Sequence, residues 1–194
     1  MNRSFYHKRK ITVPSAISHA VVATAAGIAF APQTVPTRFW PLALICSVLP
    51  DADVVAFAFG IPYHHHFGHR GFFHSPFFAL ILSLFVTVVF FREERLFSGR
   101  WVFYIIFFSL LTASHGILDA FTNGGLGIAL LSPLSSERYF FPFTPIAVSP
   151  IGIKAFLSKW GWSVLKSEFM WVWLPASILT AVSIAIRKVI VRFL

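Results

Sequence analysis

The chain has 194 residues, of which 57% are hydrophobic, 18% aromatic and only 12% charged, with a net charge of +9. An ordinary soluble domain carries about a quarter charged residues and has less than half its residues apolar. A mean hydropathy of +0.75 leaves too few polar side chains to cover a water-facing surface, which excludes a soluble globular protein. The single cysteine, Cys46, excludes an intramolecular disulfide framework and a Cys-based metal cluster. The 16 Lys and Arg against 7 Asp and Glu are dispersed among apolar runs without a reader motif. Such a balance points to lipid headgroups and topology determinants rather than to nucleic acid, which is not expected as a partner.

A hydrocarbon core of ~30 Å takes about 20 helical residues. Five apolar stretches qualify or nearly qualify: 15–31, 39–59, 75–91, 101–121 and 171–190. The first and third are at the short end. None shows the period-2 alternation of barrel strands, so the fold expected is an all-α, polytopic membrane bundle forming one domain over residues 1–194. The first stretch also has signal-peptide features: Arg3, Lys8, Arg9 and Lys10 ahead of it, and an Ala29-Phe30-Ala31 site. His19 near its start and four following spans argue against cleavage. Pro50, two-thirds along the second stretch, should break or kink that helix just before Asp51. Ser75 followed by Pro76 reads as the N-cap and first position of the third.

Between Thr122 and Met170 the chain is first irregular, punctuated by Gly124, Gly125, Gly127, Pro133, Pro142, Pro145 and Pro150. Tyr139, Phe140, Phe141 and Phe143 suit the membrane interface. Ile153, Phe156, Leu157, Trp160 and Val164 then recur at helical spacing, with Lys154 and Lys166 elsewhere on the wheel. This amphipathic stretch is expected to lie on the bilayer surface or to dock on the bundle.

Ionisable groups in apolar spans are expensive, so they mark candidate function. They fall in four places: His19 early in the first span; Asp51 and Asp53 late in the second; His69 and His74 just before the third; His115 and Asp119 closing the fourth. If successive helices alternate in direction, all of these converge on one membrane face. His115 and Asp119 share a helix face at i,i+4. His69 and His74 are five apart, about 140° on a helix, which predicts a loop-to-helix turn that Gly71 permits. Four imidazoles and three carboxylates form a mixed N/O donor set for a divalent metal, zinc first, with manganese or iron as alternatives. One or two ions fit, with carboxylates beyond the ligands orienting the histidines. His64, His65 and His66 form an unpatterned run in a loop and are expected to be solvated.

Leu49-Pro50-Asp51-Ala52-Asp53, Gly68-His69-Arg70-Gly71-Phe72-Phe73-His74-Ser75 and Ser114-His115-Gly116-Ile117-Leu118-Asp119, with an early Ser18-His19, occur in order among the spans. In this the chain resembles the YdjM-type family of bacterial inner-membrane metal-dependent hydrolases. Thr122-Asn123-Gly124-Gly125 through Tyr139-Phe140-Phe141-Pro142 is similar to the segment that follows in that family. The resemblance implies a multi-pass inner-membrane hydrolase whose metal-site residues are His19, Asp51, Asp53, His69, His74, His115 and Asp119. Phe73 departs from the motif, where Thr is frequent, without removing a ligand. A looser similarity is to zinc-dependent phospholipase C and related nucleases.

The activity expected is hydrolysis by a metal-activated water, whose pKa falls to about 7. Asp53 or Asp119 would serve as general base. Arg70 would stabilise an anionic transition state, or else anchor a loop at the membrane face. The substrate expected is a small molecule or a lipid-linked, phosphate-bearing one, with membrane lipids as surroundings. The alternative is a transporter using the His/Asp cluster as an ion or proton site. With the N-terminus inside, nine basic residues lie inside against seven outside, which favours a cytoplasm-facing site and puts the basic C-terminus outside.

Overall fold

The computed structural model describes residues 12–13, 15–150 and 156–193. Arg3, Lys8, Arg9 and Lys10 of the basic N-terminus, and Ile153 and Lys154 of the amphipathic stretch, lie outside the described residues. Among the described residues the fold is a helical bundle. Helix α1 is Ala16–Phe30, α2 is Phe39–Val48, α3 is Pro76–Phe90 and α4 is Gly99–Ala120. The last, α5, runs Lys159–Glu168, passes through a π-helical turn at Phe169–Trp173 and continues as Leu174–Phe193. Its first half is the expected amphipathic segment, joined directly to the last span and docked on the body through the buried Gly161 and Val164. Among the described residues Thr12–Val13 pairs antiparallel with Ser149–Pro150, and isolated bridges join Thr122 to Ile146 and Ile128 to Tyr139.

Among the described residues three helices, Phe39–Phe59, Gly99–Ala120 and Lys159–Ile190, are long and apolar enough to cross a membrane; Ala16–Phe30 and Pro76–Phe90 are apolar but shorter. Fifteen residues at 1.5 Å each make α1 and α3 only about 22 Å long. The irregular segments 60–75 and 121–149 bond to each other at the end where α3 begins and α4 ends.

Local sequence explains the boundaries. Pro50 lacks an N–H and its ring crowds the carbonyl four residues back, so the regular turn of α2 cannot continue. The chain tightens into a 3₁₀ helix over Leu49–Phe59, ended by Gly60 in the left-handed region at φ +74°. Ser75 caps α3 as its spacing predicts, its hydroxyl accepting the Phe78 N–H at 3.1 Å. Ser98 does the same for α4, accepting from Trp101 N–H; the sequence reading starts that span at 101 and misses this cap.

At the end of the bundle away from those segments, Phe39 is fully buried among Phe103, Tyr104, Phe107 and Phe108, with Phe91 stacked on Tyr104. The hydroxyls of Ser83 and Ser109 meet at 2.6 Å across α3 and α4. Helices α1 and α5 run parallel: Trp173 Nε1 donates to Ser18 Oγ at 2.8 Å, and Ser183 Oγ to the Ala29 carbonyl at 2.8 Å. The N-terminal end of α1 and the C-terminal end of α5 therefore lie at opposite ends of the bundle.

Truncating Phe39 empties the centre of the aromatic cluster. Phe39→Ala is expected to lose about 3–5 kcal/mol of stability, read as a lower unfolding temperature in detergent, while leaving metal content per folded chain unchanged.

Candidate metal centre

Each site residue is presented by a different local device. His19 lies in the first turns of α1, and the 3₁₀ helix carries Asp51 and Asp53. His74 ends the short 3₁₀ turn Phe72–His74 that leads into Ser75 and α3, with Gly71 at its start, as the spacing predicts. His115 and Asp119 share the inner face of α4, both fully buried. Between them, Gly116 lets α4 approach that turn, because a Cβ there would collide with the His74 carbonyl.

The convergence expected from topology is present in the structure. His115 Nε2 lies 3.3 Å from Asp51 Oδ1, and His74 Nε2 lies 3.6 Å from the same oxygen and 3.4 Å from Asp119 Oδ2. Asp51, His74, His115 and Asp119 thus offer four donor atoms within 4.8 Å of one another; Asp53, His69 and His74 form a second such group. His19 sits beside the first group, its ring stacked on His115 at 3.7 Å and its Nε2 3.7 Å from Asp119 Oδ1. All the residues of the cluster are buried except Asp51, whose side chain is 18% exposed.

Two histidines have one nitrogen fixed and the other free. His115 Nδ1 donates to the Ser47 carbonyl at 2.7 Å, and His69 Nδ1 donates to Asp53 Oδ1 at 2.6 Å. An imidazole donating through Nδ1 keeps its lone pair on Nε2. Among the described residues, Nε2 of His19, His69, His74 and His115 and Oδ1 of Asp119 make no hydrogen bond. Buried polar atoms are normally satisfied, so this many orphaned acceptors facing one another fit a cation.

Asp53 is engaged differently from the other two aspartates. Its Oδ1 receives His69 Nδ1, while its Oδ2 accepts the Arg70 N–H at 3.2 Å and faces His74 Nδ1 at 3.1 Å. It touches the far nitrogens of two histidines, which is the position of a carboxylate that orients ligands.

Arg70 is fully buried, with its guanidinium turned inward. Nε pairs with Asp119 Oδ2 at 2.9 Å, NH1 donates to the carbonyls of Gly124 and Leu126, and NH2 donates to Thr122 Oγ1. Its backbone adopts φ +61°, a left-handed conformation uncommon for a side chain of this size. The bonds from its own N–H to Asp53 and from Ala129 N–H to its carbonyl hold it there. Gly125, at φ +79°, lies so close to Tyr63 Oη and Arg70 NH1 that a Cβ would not fit.

Sequence reasoning missed Arg138 and Tyr63. Arg138 donates to the carbonyls of Tyr63, His65, Gly127 and His69, with its guanidinium over the Tyr63 ring, and so ties segment 60–70 to segment 127–139. Tyr63 packs edge-on against His69 at 5.2 Å, and burial raises its hydroxyl pKa above the usual value. A lone arginine beside an aromatic run was the available signal for the first; Tyr63 carried none. His64, His65 and His66 are exposed, away from the cluster.

An orienting carboxylate and a ligand differ in what their loss does. Asp53→Ala is expected to weaken zinc affinity about 10–100-fold with stoichiometry preserved at saturation, measured by competition against a chromogenic chelator.

The chain matches the profile of the YdjM inner membrane protein family over residues 15–191. It is 38% identical over 167 residues to inner membrane protein YbcI of Escherichia coli (strain K12), covering 86% of this chain and 95% of that protein. No solved structure matches it. With apolar helices of spanning length and a match over nearly its whole extent, the chain belongs to the YdjM inner membrane protein family.

Proposed function

We propose that this protein is a multi-pass, membrane-embedded, metal-dependent hydrolase. The observation that carries the reading is charge. Asp51, Asp53 and Asp119 lie in one cluster within an apolar bundle, where the fully buried guanidinium of Arg70 pairs with Asp119 alone. Two negative charges are left over, the complement of one divalent cation, and uncompensated buried charge costs several kcal/mol. Protons on both His19 and His115 serve that balance poorly, because these rings stack face to face at 3.7 Å and two imidazolium rings would repel there.

Asp51, His74, His115 and Asp119 would hold the ion, zinc first, with manganese or iron suited to the same N/O donors. The ion would supply Lewis acidity that brings the pKa of water to about 7, so no Ser or Cys nucleophile is needed. His69 and Asp53 would complete the centre or hold a second ion. Arg70 in this reading fixes and charge-balances Asp119, in place of gripping a substrate phosphate. The partly exposed Asp51 marks the side from which a substrate would reach the centre.

A phosphate-bearing substrate, free or lipid-linked, suits a cationic centre at the membrane. The experiment is turnover of bis(p-nitrophenyl) phosphate and of a phospholipid in mixed micelles by purified protein loaded with zinc or manganese. His115→Ala is expected to lower the rate at least 100-fold. Absence of metal-dependent turnover on both, together with metal uptake into liposomes that Asp51→Ala abolishes, would replace hydrolysis with transport.

A further inference from the structure

Glu168 is the buried carboxylate that the centre does not use. It is fully buried at the end of the first half of α5, and it accepts two hydrogen bonds from one residue of α1. The Ser15 N–H reaches Oε1 at 2.7 Å and the Ser15 hydroxyl reaches Oε2 at 2.5 Å. Ser15 occupies the N-cap position of α1 yet makes no capping bond with its own side chain; its hydroxyl is turned over to Glu168. A carboxylate at a helix N-terminus meets free N–H groups and the positive end of the helix dipole.

The π turn immediately after Glu168 extends this contact. The Leu174 N–H bonds the carbonyl of Phe169, five residues back. In a regular α-helix residues five apart diverge by about 140°. The wider π turn brings positions five apart onto one face, and Glu168 and Trp173 both reach α1: the carboxylate at Ser15, the indole N–H at Ser18 Oγ, 2.8 Å away. Ser15 is one turn before His19 and Ser18 is its neighbour. Two side chains of α5, meeting Ser15 and Ser18, thus grip the one turn of α1 that presents His19 to Asp119 and His115.

We infer that Glu168, through this clasp, is a positioning residue that sets the height and rotation of His19 at the metal centre. The inference rests on the metal-centre reading. Trp173 reinforces the grip, and the one-residue excess of the π turn is what lets α5 supply both contacts. Helix α5, which gives the centre no ligand of its own, thereby becomes part of its geometry.

The test uses the full-length chain in detergent, stripped and reloaded with Co²⁺, whose visible absorption reports the ligand set and whose titration gives affinity. Glu168→Ala is expected to bind Co²⁺ about 10-fold or more weakly, with a spectrum shifted toward that of His19→Ala. Glu168→Gln keeps one acceptor for the Ser15 N–H and can donate to the Ser15 hydroxyl, so it should restore both spectrum and affinity. Adding Glu168→Ala to His19→Ala should weaken binding no further, the mark of two residues acting through one contact. If Glu168→Ala does not fold, Trp173→Phe removes the second contact and should shift the spectrum the same way by less. Wild-type spectrum and affinity in the folded clasp variant overturn the inference, as does failure of Glu168→Gln to rescue or full additivity with His19→Ala. Co²⁺ binding by the wild type that is indifferent to the clasp leaves the metal centre standing, whereas no uptake by the wild type overturns both.

Discussion

Three carboxylates held inside an apolar helical body against one buried guanidinium are the constraint around which this protein is arranged. Each carboxylate meets it in its own way. Asp53 spreads its charge over the His69 ring and the Arg70 backbone, Asp119 takes the Arg70 side chain, and Asp51 keeps partial exposure. Nε2 of His19, His69, His74 and His115 makes no hydrogen bond among the described residues. Buried donors gathered in this way form a mixed N/O set that could hold a divalent cation.

The fold meets this constraint by interrupting its own regularity at one end. Pro50 turns α2 into a 3₁₀ helix just where Asp51 and Asp53 must leave the helical face, and Gly71 and the turn at Phe72–His74 bring His74 in ahead of α3. At the same end lie segments 60–75 and 121–149, which Arg70 and Arg138 stitch together almost entirely through backbone carbonyls. The opposite end does the reverse: Phe39, Tyr104, Phe107 and Phe108 pack as an aromatic cluster and supply cohesion. Stability and chemistry are thereby separated along the bundle axis.

Much of this is legible in the sequence because polar groups in apolar spans are rare enough to be read one by one. His19, Asp51, Asp53, His69, His74, His115 and Asp119 can be placed on one face from span direction alone, and the Pro50 break and Ser75 cap follow from local chemistry. Three things are not legible. Whether Asp53 is a ligand or an orienting group depends on which imidazole nitrogen it meets, an angstrom-scale matter that spacing does not encode. Arg70 reads as a phosphate clamp or an anchor until its N–H groups are seen to face Asp119, Thr122 and loop carbonyls. Glu168 looks like an ordinary acid on an amphipathic helix, because its partner Ser15 lies 153 residues away and the π turn that aims Trp173 at α1 has no sequence signature.

His74 is the member of the cluster common to both groups of candidate donors, with Asp53 at one ring nitrogen and Asp51 and Asp119 at the other. Elemental metal analysis of detergent-purified wild type beside His74→Ala therefore bears most directly on the whole arrangement. The account predicts at least one divalent transition-metal ion per wild-type chain and loss of bound metal in folded His74→Ala. A wild type without metal, or a variant that keeps its full complement, would contradict it.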